Sequence, residues 1–218
     1  ATAQQTVTIT VHGTNDAPTL TGDVSGSVTE DTAPTVSGTL LAGDVDNGSS
    51  TSFSVSNDGE GTYGSLSIDE DGVWTYTLGS ASQALAQGET ETETFTVTVT
   101  DEHNATAQQT VTITVHGTND APVVSGPVHG TMIENTSSED LYALDNASDV
   151  DSLELTAVVD ESSLPPGVTF NPETQTFSLD KDDAAYHHLA EGETDTVTVN
   201  YEVSDGITST PASVSWTV

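Results

Sequence analysis

The sequence predicts an all-β chain of two tandem Greek-key sandwiches joined end to end, and three observations carry that prediction. The eighteen residues ATAQQTVTITVHGTNDAP at 1–18 recur without change at 105–122, an offset of 104. Stretches such as Thr92–Thr100 (TETFTVTVT) alternate polar and apolar residues with the period of two that a half-buried strand needs. The alternating runs are short and separated by Gly, Pro, Asn and Asp, at about seven per 100 residues, the pattern of a Greek-key sandwich. A repeat of 104 residues is too long for a solenoid unit and matches a whole small domain.

The offset persists where the copies diverge. Glu30 matches Glu134, Leu85 matches Leu189, Gly88-Glu89-Thr90 matches Gly192-Glu193-Thr194, and Asp101 matches Asp205. This sets one domain at 17–118 and a second, divergent one at 119–218. Residues 1–16 then read as the last strand of a preceding copy, or a swapped strand, and the chain as an internal piece of a longer one.

In the first domain, strands are expected at Val24–Val28, Val36–Leu41, Ser52–Val55, Ser65–Ile68, Val73–Leu78, Thr94–Thr100 and Gln108–Val115. Asp69-Glu70-Asp71-Gly72 is a hairpin turn signal. Ser82–Gln87 reads as a single helical turn. In the second domain strands are expected at Val168–Phe170, Thr176–Leu179, Thr196–Val203 and Ala212–Val218, with a short helix near Asp183–Leu189. Trp74, Phe177 and Trp216 fall on apolar strand faces and read as core.

Composition narrows the function. The 218 residues hold 35 acids against one Lys or Arg, a formal charge of −34. Nucleic acid is excluded as a partner, since phosphate recognition needs Lys and Arg, and an anionic membrane surface is disfavoured for the same reason. Disordered acidic chains do not keep a strand period. With no cysteine, disulfide staples and thiolate metal sites are out. No apolar run approaches the roughly 20 residues of a membrane span. Carboxylate repulsion that Lys and Arg cannot relieve calls for a hard divalent cation with oxygen ligands, and Ca²⁺ fits best. That points to a calcium-rich, extracellular setting.

The candidate ligands recur at matched points. Gly117-Thr118-Asn119-Asp120-Ala121-Pro122 links the domains, and its Asn-Asp and Pro also suit a plain turn. Around it lie Glu30 after a first strand, Glu89 before a penultimate strand, Asp149 and Asp151 as Asp-x-Asp, and Asp205 at a strand end. In an end-to-end stack these converge on the linker, where Ca²⁺ would take six to eight oxygens at about 2.3–2.6 Å.

This order of Glu, acid, Asn-Asp-x-Pro linker, Asp-x-Asp and strand-ending Asp resembles the cadherin calcium junction. Thr-Asn-Asp-Ala-Pro after a Thr/Val-rich strand, with Val28-Thr-Glu-Asp31 and Met132-Ile-Glu-Asn135, is similar to the cadherin-like, VCBS-type Ig-like repeats of giant bacterial surface adhesins of the repeats-in-toxin class. The resemblance implies two or three Ca²⁺ ions at the interdomain junction, held by Glu30, Glu89, Asn119, Asp120, Asp149, Asp151 and Asp205. Asn15, Asp16, Asp44, Asp46 and Asp101 would be the lower half of an upstream junction, and Glu134 and Glu193 the upper half of a downstream one; both should bind weakly or not at all. Three departures stand out, the first being that the spacing from Asn119-Asp120 to Pro122 is one residue shorter. Gly117 occupies the place of a linker acid, and Leu85-Ala-Gln-Gly-Glu89 replaces an Asp-Arg-Glu element with a single acid.

Other sites are weaker. Asp44-Val-Asp-Asn-Gly48 has its glycine one place early for an EF-hand and no Glu at position 12. His187 and His188 are adjacent and read as surface residues. No Ser/His/Asp set stands out, and catalysis is not expected. Two functions remain. One is a calcium-rigidified spacer in a biofilm or cell-surface adhesin on a bacterial surface. Neighbouring repeats of the same chain would be its partners, and distal domains would meet a host-cell or surface ligand. Two sandwiches in line would span roughly 70–90 Å. The other is a recognition module for sugar or peptide in the second domain, with Tyr142, Tyr186 and the His pair as contact groups. An exposed cluster of aromatics in that domain would favour recognition, and its absence the spacer.

Overall fold

The computed structural model describes residues 1–218. The chain divides into two units, 1–82 with 90–116, and 83–89 with 117–218. Residues 1–18 belong to no strand.

In the first unit, β1 (Thr19–Gly22), β3 (Thr35–Gly43), β6 (Val73–Leu78) and β5 (Gly64–Ile68) form one sheet in that order. The other sheet is β2 (Ser25–Thr29), β8 (Thr106–His116), β7 (Thr90–Asp101) and β4 (Thr51–Val55). The entering chain thus crosses from one sheet to the other between β1 and β2. At the crossing, Asp23 holds β3 through its carboxylate, which accepts from Thr39 N at 3.0 Å, and its carbonyl accepts from Trp74 Nε1 at 2.9 Å. β2 then runs parallel to β8, Ser25 opposite Thr112 and Thr29 opposite His116. β7 and β8 are the longest pair, antiparallel from Thr90 opposite His116 to Thr100 opposite Thr106. Their inward residues Phe95, Val97, Val99, Val111, Ile113 and Val115 meet Leu40, Leu66, Trp74 and Tyr76 in the core. Burial of each such side chain is worth about 1.5–3 kcal/mol.

The expected strands of this unit are all present, and β7 begins four residues earlier than its alternation suggested, at Thr90. Asp69–Gly72 does turn the β5–β6 hairpin. The helical turn expected over Ser82–Gln87 is instead a 3₁₀ turn at Ser80–Ala84. It starts earlier because Ser82 bonds back to the Gly79 carbonyl with both its N–H, at 3.2 Å, and its hydroxyl, at 2.9 Å.

The second unit keeps this plan with shorter, more broken strands. β9 (Val123–Val124) pairs with β13 (Ala147–Ser148). Past Gly126-Pro127 the chain enters β10 (Val128–Ile133), which runs parallel to β18 (Ser209–Thr217). The main sheet is β11 (Ser137–Ser138), β10, β18, β17 (Thr196–Ser204) and β14 (Thr156–Val158), and a three-stranded sheet holds β12 (Leu141–Tyr142), β16 (Thr176–Leu179) and β15 (Val168–Asn171). Phe177, Tyr201, Val203, Val214 and Trp216 anchor its core, Phe177 and Tyr201 with ring centroids 5.1 Å apart. Trp74, Phe177 and Trp216 are therefore core, as their alternation implied.

Two expectations for this unit are corrected. Asp183–Leu189 is a run of turns with no helix. The bonds Tyr186 N to Asp183 O and Leu189 N to Tyr186 O are isolated, and the Asp183 carboxylate takes the Ala185 N–H at 2.8 Å, competing with helix propagation. Tyr186 is not a contact group: it is 5% exposed, and its hydroxyl donates to Pro166 O at 2.7 Å.

One buried carboxylate was not anticipated. Glu93 on β7 accepts from the backbone N–H of Thr62, from that of Tyr63 at 2.9 Å, and from the Tyr76 hydroxyl at 2.5 Å. Burial first, then the bond to Glu93 and its charge, hold the Tyr76 hydroxyl far above the usual phenol range. The turn ahead of these residues places Asn57 and Asp58 at left-handed φ, 54° and 51°, where non-glycine residues are strained, and Gly59 at 79°, which glycine adopts freely. A Cβ on Gly59 would sit 1.9 Å from the Leu66 carbonyl oxygen. Glu93→Ala would leave several buried donors unmet and should cost about 2–3 kcal/mol. Tyr76→Phe should cost about 1 kcal/mol. Urea unfolding midpoints at constant m-value would check both.

Candidate metal-binding clusters

The chain builds the same carboxylate arrangement twice, once in each unit. In the second unit, Asn119 donates its side-chain amide to Asp205 Oδ2 at 2.8 Å. The Asp120 N–H donates to Asp151 Oδ2 at 3.4 Å. Asp149 Oδ1 caps the following turn, accepting from Asp151 N at 3.1 Å and Ser152 N at 2.9 Å. In the first unit, Asn15 donates to Asp101 Oδ2 at 2.9 Å, Asp16 N to Asp46 Oδ2 at 2.8 Å, and Asp46 N to Asp44 Oδ1 at 2.8 Å. The two sets share residue types, order and atom roles.

Local sequence explains the geometry. Asp-x-Asp folds into a turn in which the first carboxylate uses one oxygen to cap a backbone N–H two residues on. The second oxygen is then left over. Asp44 Oδ2, Asp149 Oδ2 and Asp151 Oδ1 are buried and have no hydrogen-bond donor. The one lysine, Lys181, is engaged with Asp182 at 2.6 Å. A strand-ending Asp closes each set. Asp101 accepts from His103 N and Ala105 N at 2.9 and 2.8 Å, and Asp205 from Ile207 N and Thr208 N at 2.6 Å each. The donor set is oxygen throughout, with spare carboxylate oxygens, and suits a hard cation such as Ca²⁺.

Electrostatics differ along each set. The Asn15 amide, helped by the Ala105 and His103 N–H groups, holds the Asp101 carboxyl below the usual range. Asp205 loses some solvation, yet the bonds from Asn119, Ile207 and Thr208 outweigh that and hold it well below the usual range. Asp151 goes the other way: desolvation, then the neighbouring Asp149, push it up to about 6.

The remaining predicted residues make hydrogen bonds of their own or carry spare oxygens. Glu30 belongs to the first unit and is 1% exposed, its N–H bonded to His116 O at 3.2 Å. Glu89 is exposed and turns back on its own loop, Oε2 accepting from Ala86 N at 3.1 Å; Glu193 does the same to Ala190 N at 2.9 Å. Glu134 carries a buried, unpartnered Oε2. No three Asp, Glu or His side chains gather into a finished metal cage. Gly117, in place of a linker acid, has a structural reason: a Cβ there would lie 2.3 Å from Leu85 O and 2.5 Å from Ala86 O.

Sequence reasoning missed Thr208. Its hydroxyl donates to Asp205 Oδ2 at 2.8 Å and accepts from Asn119 Nδ2 at 3.1 Å. The repeat could not reveal it, because the matched position of the first copy is Asn104. The exposed aromatic cluster expected of a recognition site is not formed. In the second unit only Tyr142 is substantially exposed, at 46%, and His187 and His188 are surface residues without an aromatic neighbour cluster.

Comparison with known proteins bears on the fold. Residues 15–117 match the family model of the bacterial cadherin-like domain. No curated protein matches significantly. Among solved structures, extracellular cadherin domains 1–5 of protocadherin gamma B2 superpose with a TM-score of 0.56 at 16% identity, covering 94% of this chain and 40% of that one. Mouse cadherin-23 EC22–24 gives 0.51 at 17% identity, over 93% of this chain and 63% of that one. Protocadherin gamma C5 EC1–3 gives 0.51 at 16% identity, over 93% and 68%. The all-β fold is thus cadherin-like, and the chain spans less than two thirds of the first two of these relatives.

Two titrations follow for the metal-free protein. Asp205 is held low, so its stabilisation is full above the unfolded value of about 3.9 and is lost as pH falls further. Asn119→Ala should raise the Asp205 pKa, read by carboxyl ¹³C NMR. Asp151 is held high, so the folded state bears a penalty at neutral pH that is relieved as pH drops through about 6. Asp149→Asn should move the Asp151 midpoint back toward the ordinary carboxylate range.

Proposed function

We propose that this chain is a pair of calcium-rigidified spacer domains of an extracellular, bacterial cell-surface adhesin. The observation that carries this reading is the twice-built Asn-Asp/Asp-x-Asp arrangement with buried carboxylate oxygens left without donors. Asp120, Asp149, Asp151 and Asp205 would supply carboxylates, and Asn119 its amide oxygen after turning from Asp205. Glu30 and Glu89 would complete two or three Ca²⁺ sites at the junction. The ion supplies charge cancellation and crosslinking. Without it the carboxylates repel one another and the linker Gly117–Pro122 flexes. With it, ligands on either side of the linker are tied together, and a binding domain elsewhere in the adhesin is held away from the cell. The match of residues 15–117 to the bacterial cadherin-like domain supports an extracellular adhesion-type role. Recognition by the second domain is the weaker reading, because Tyr186 is core and Tyr142 stands without an aromatic partner.

Small-angle X-ray scattering in EGTA and then in millimolar Ca²⁺ tests the proposal. The maximum dimension should settle at a single extended value only with calcium, and Asp151→Ala should abolish the change. Identical profiles in both conditions would defeat it. Calcium at about 100 times its dissociation constant should add about 2.7 kcal/mol of stability, seen as a rise in melting temperature that Asp151→Ala removes. Calcium affinity should also fall as pH drops below about 6, because the cation competes with the proton on Asp151.

A further inference from the structure

Asn47-Gly48 is the only Asn-Gly in the chain, although the chain has nine asparagines. The pair forms the centre of the Asp46–Ser49 turn, closed by one long bond from Ser49 N to Asp46 O at 3.4 Å. Both residues are exposed, and neither the Asn47 side chain nor the Gly48 N–H has a hydrogen-bond partner. Gly48 takes a left-handed φ of 85°, and nothing lies within 4 Å of where a Cβ would stand. A side-chain amide and the backbone nitrogen that follows it are thus both uncommitted and both open to water.

The other eight asparagines are held. The side-chain amides of Asn15 and Asn119 donate to Asp101 and Asp205, and the N–H groups that follow them go to Asp46 and Asp151. Asn57 donates its amide to Glu60 O, and Asn146 to Pro127 O. After Asn104 and Asn135 the next N–H is engaged, Ala105 N with Asp101 Oδ1 at 2.8 Å and Thr136 N with Ile133 O at 3.0 Å. Asn171 precedes Pro172, which has no N–H. Asn200 lies within the β17–β18 ladder, ahead of the buried Tyr201.

We infer that Asn47 is a self-modification site, at which the chain converts its own side-chain amide to an aspartate or an isoaspartyl linkage. The Gly48 nitrogen, its proton lost to base, attacks Asn47 Cγ. The new C–N bond closes a succinimide ring, and the Cγ–Nδ2 bond breaks, releasing ammonia with a proton from water. Water then opens the ring. Addition at Cγ gives aspartate. Addition at the backbone carbonyl carbon gives isoaspartate, with the main chain rerouted through Cβ and Cγ and longer by a methylene. The reaction needs no metal and does not depend on the spacer reading. It lands beside Asp46, whose N–H bonds Asp44 and whose Oδ2 takes Asp16 N, both at 2.8 Å. Ser152-Leu153 fills the matched turn of the second unit, so only the first carboxylate set ages in this way.

The test incubates the folded full chain in mildly alkaline buffer, with a parallel sample in urea, and follows each asparagine by peptide mass spectrometry. Asn47 should convert first, to both products, at a rate that rises with pH. That rate should match the rate in urea within about threefold, because no local opening has to precede the attack. Folding should slow the other eight by about tenfold or more. Asn47→Ser, copying Ser152, should leave the chain folded and without the early conversion. In the aged chain the Asp16 and Asp46 amide NMR resonances should shift while those of Asp120 and Asp151 hold. Conversion of another asparagine before Asn47, or protection of Asn47 by folding as strong as that of the others, would overturn the inference. Unshifted Asp16 and Asp46 resonances would overturn its link to the first carboxylate set.

Discussion

Everything in this protein is arranged around carboxylates that have almost no cationic partners. With 35 acids and one Lys or Arg, ion pairing cannot neutralise the folded state, and the buried acids are met by neutral donors instead. Glu93 takes two backbone N–H groups and a tyrosine hydroxyl. Asp101 and Asp205 take an asparagine amide and the N–H groups of the turns they close. Hydrogen bonds to charged acceptors are roughly twice as strong as neutral ones, which is how an isolated carboxylate survives in a low-dielectric site. Where the donors run out, as at Asp149 Oδ2 and Asp151 Oδ1, the solvation deficit appears as the raised Asp151 carboxyl.

Much of this was legible in the sequence. Strand alternation located every major strand of the first unit, because its long β7–β8 pair has one face in the core and one in solvent. The offset of 104 placed Asn119, Asp120 and Asp205 by their likeness to Asn15, Asp16 and Asp101, and hydrogen bonds then join them in the same way in both units. Thr208 had no counterpart to announce it. β1 and β9 are too short to show a period, being four and two residues long. The 183–189 turns look helical in composition, but aspartate side chains compete there for the backbone. Glu93 sits at a position of β7 where alternation already called for an inward residue, and only the tertiary fold reveals that Tyr76 and the 62–63 loop meet it there.

The duplicated segment shows how little intrinsic propensity decides. One run of Thr, Val and Ile is a fully paired strand at β8 and an unpaired, exposed stretch at the start of the chain. β-propensity describes how well side chains suit a pleated, half-buried surface, and without neighbouring strands there is no such surface.

The parallel pairing of the entering strand with the leaving strand has a mechanical consequence. In the first unit β2 lies alongside β8, and in the second β10 lies alongside β18. Tension applied through the two ends of either unit pulls these partners past one another along their length. All the bridging hydrogen bonds are then loaded at once, in shear, where a hairpin pulled from its open end would break them one by one. Rupture requires the simultaneous loss of the whole ladder, so each unit resists stretching through its strand order, whether or not an ion is bound.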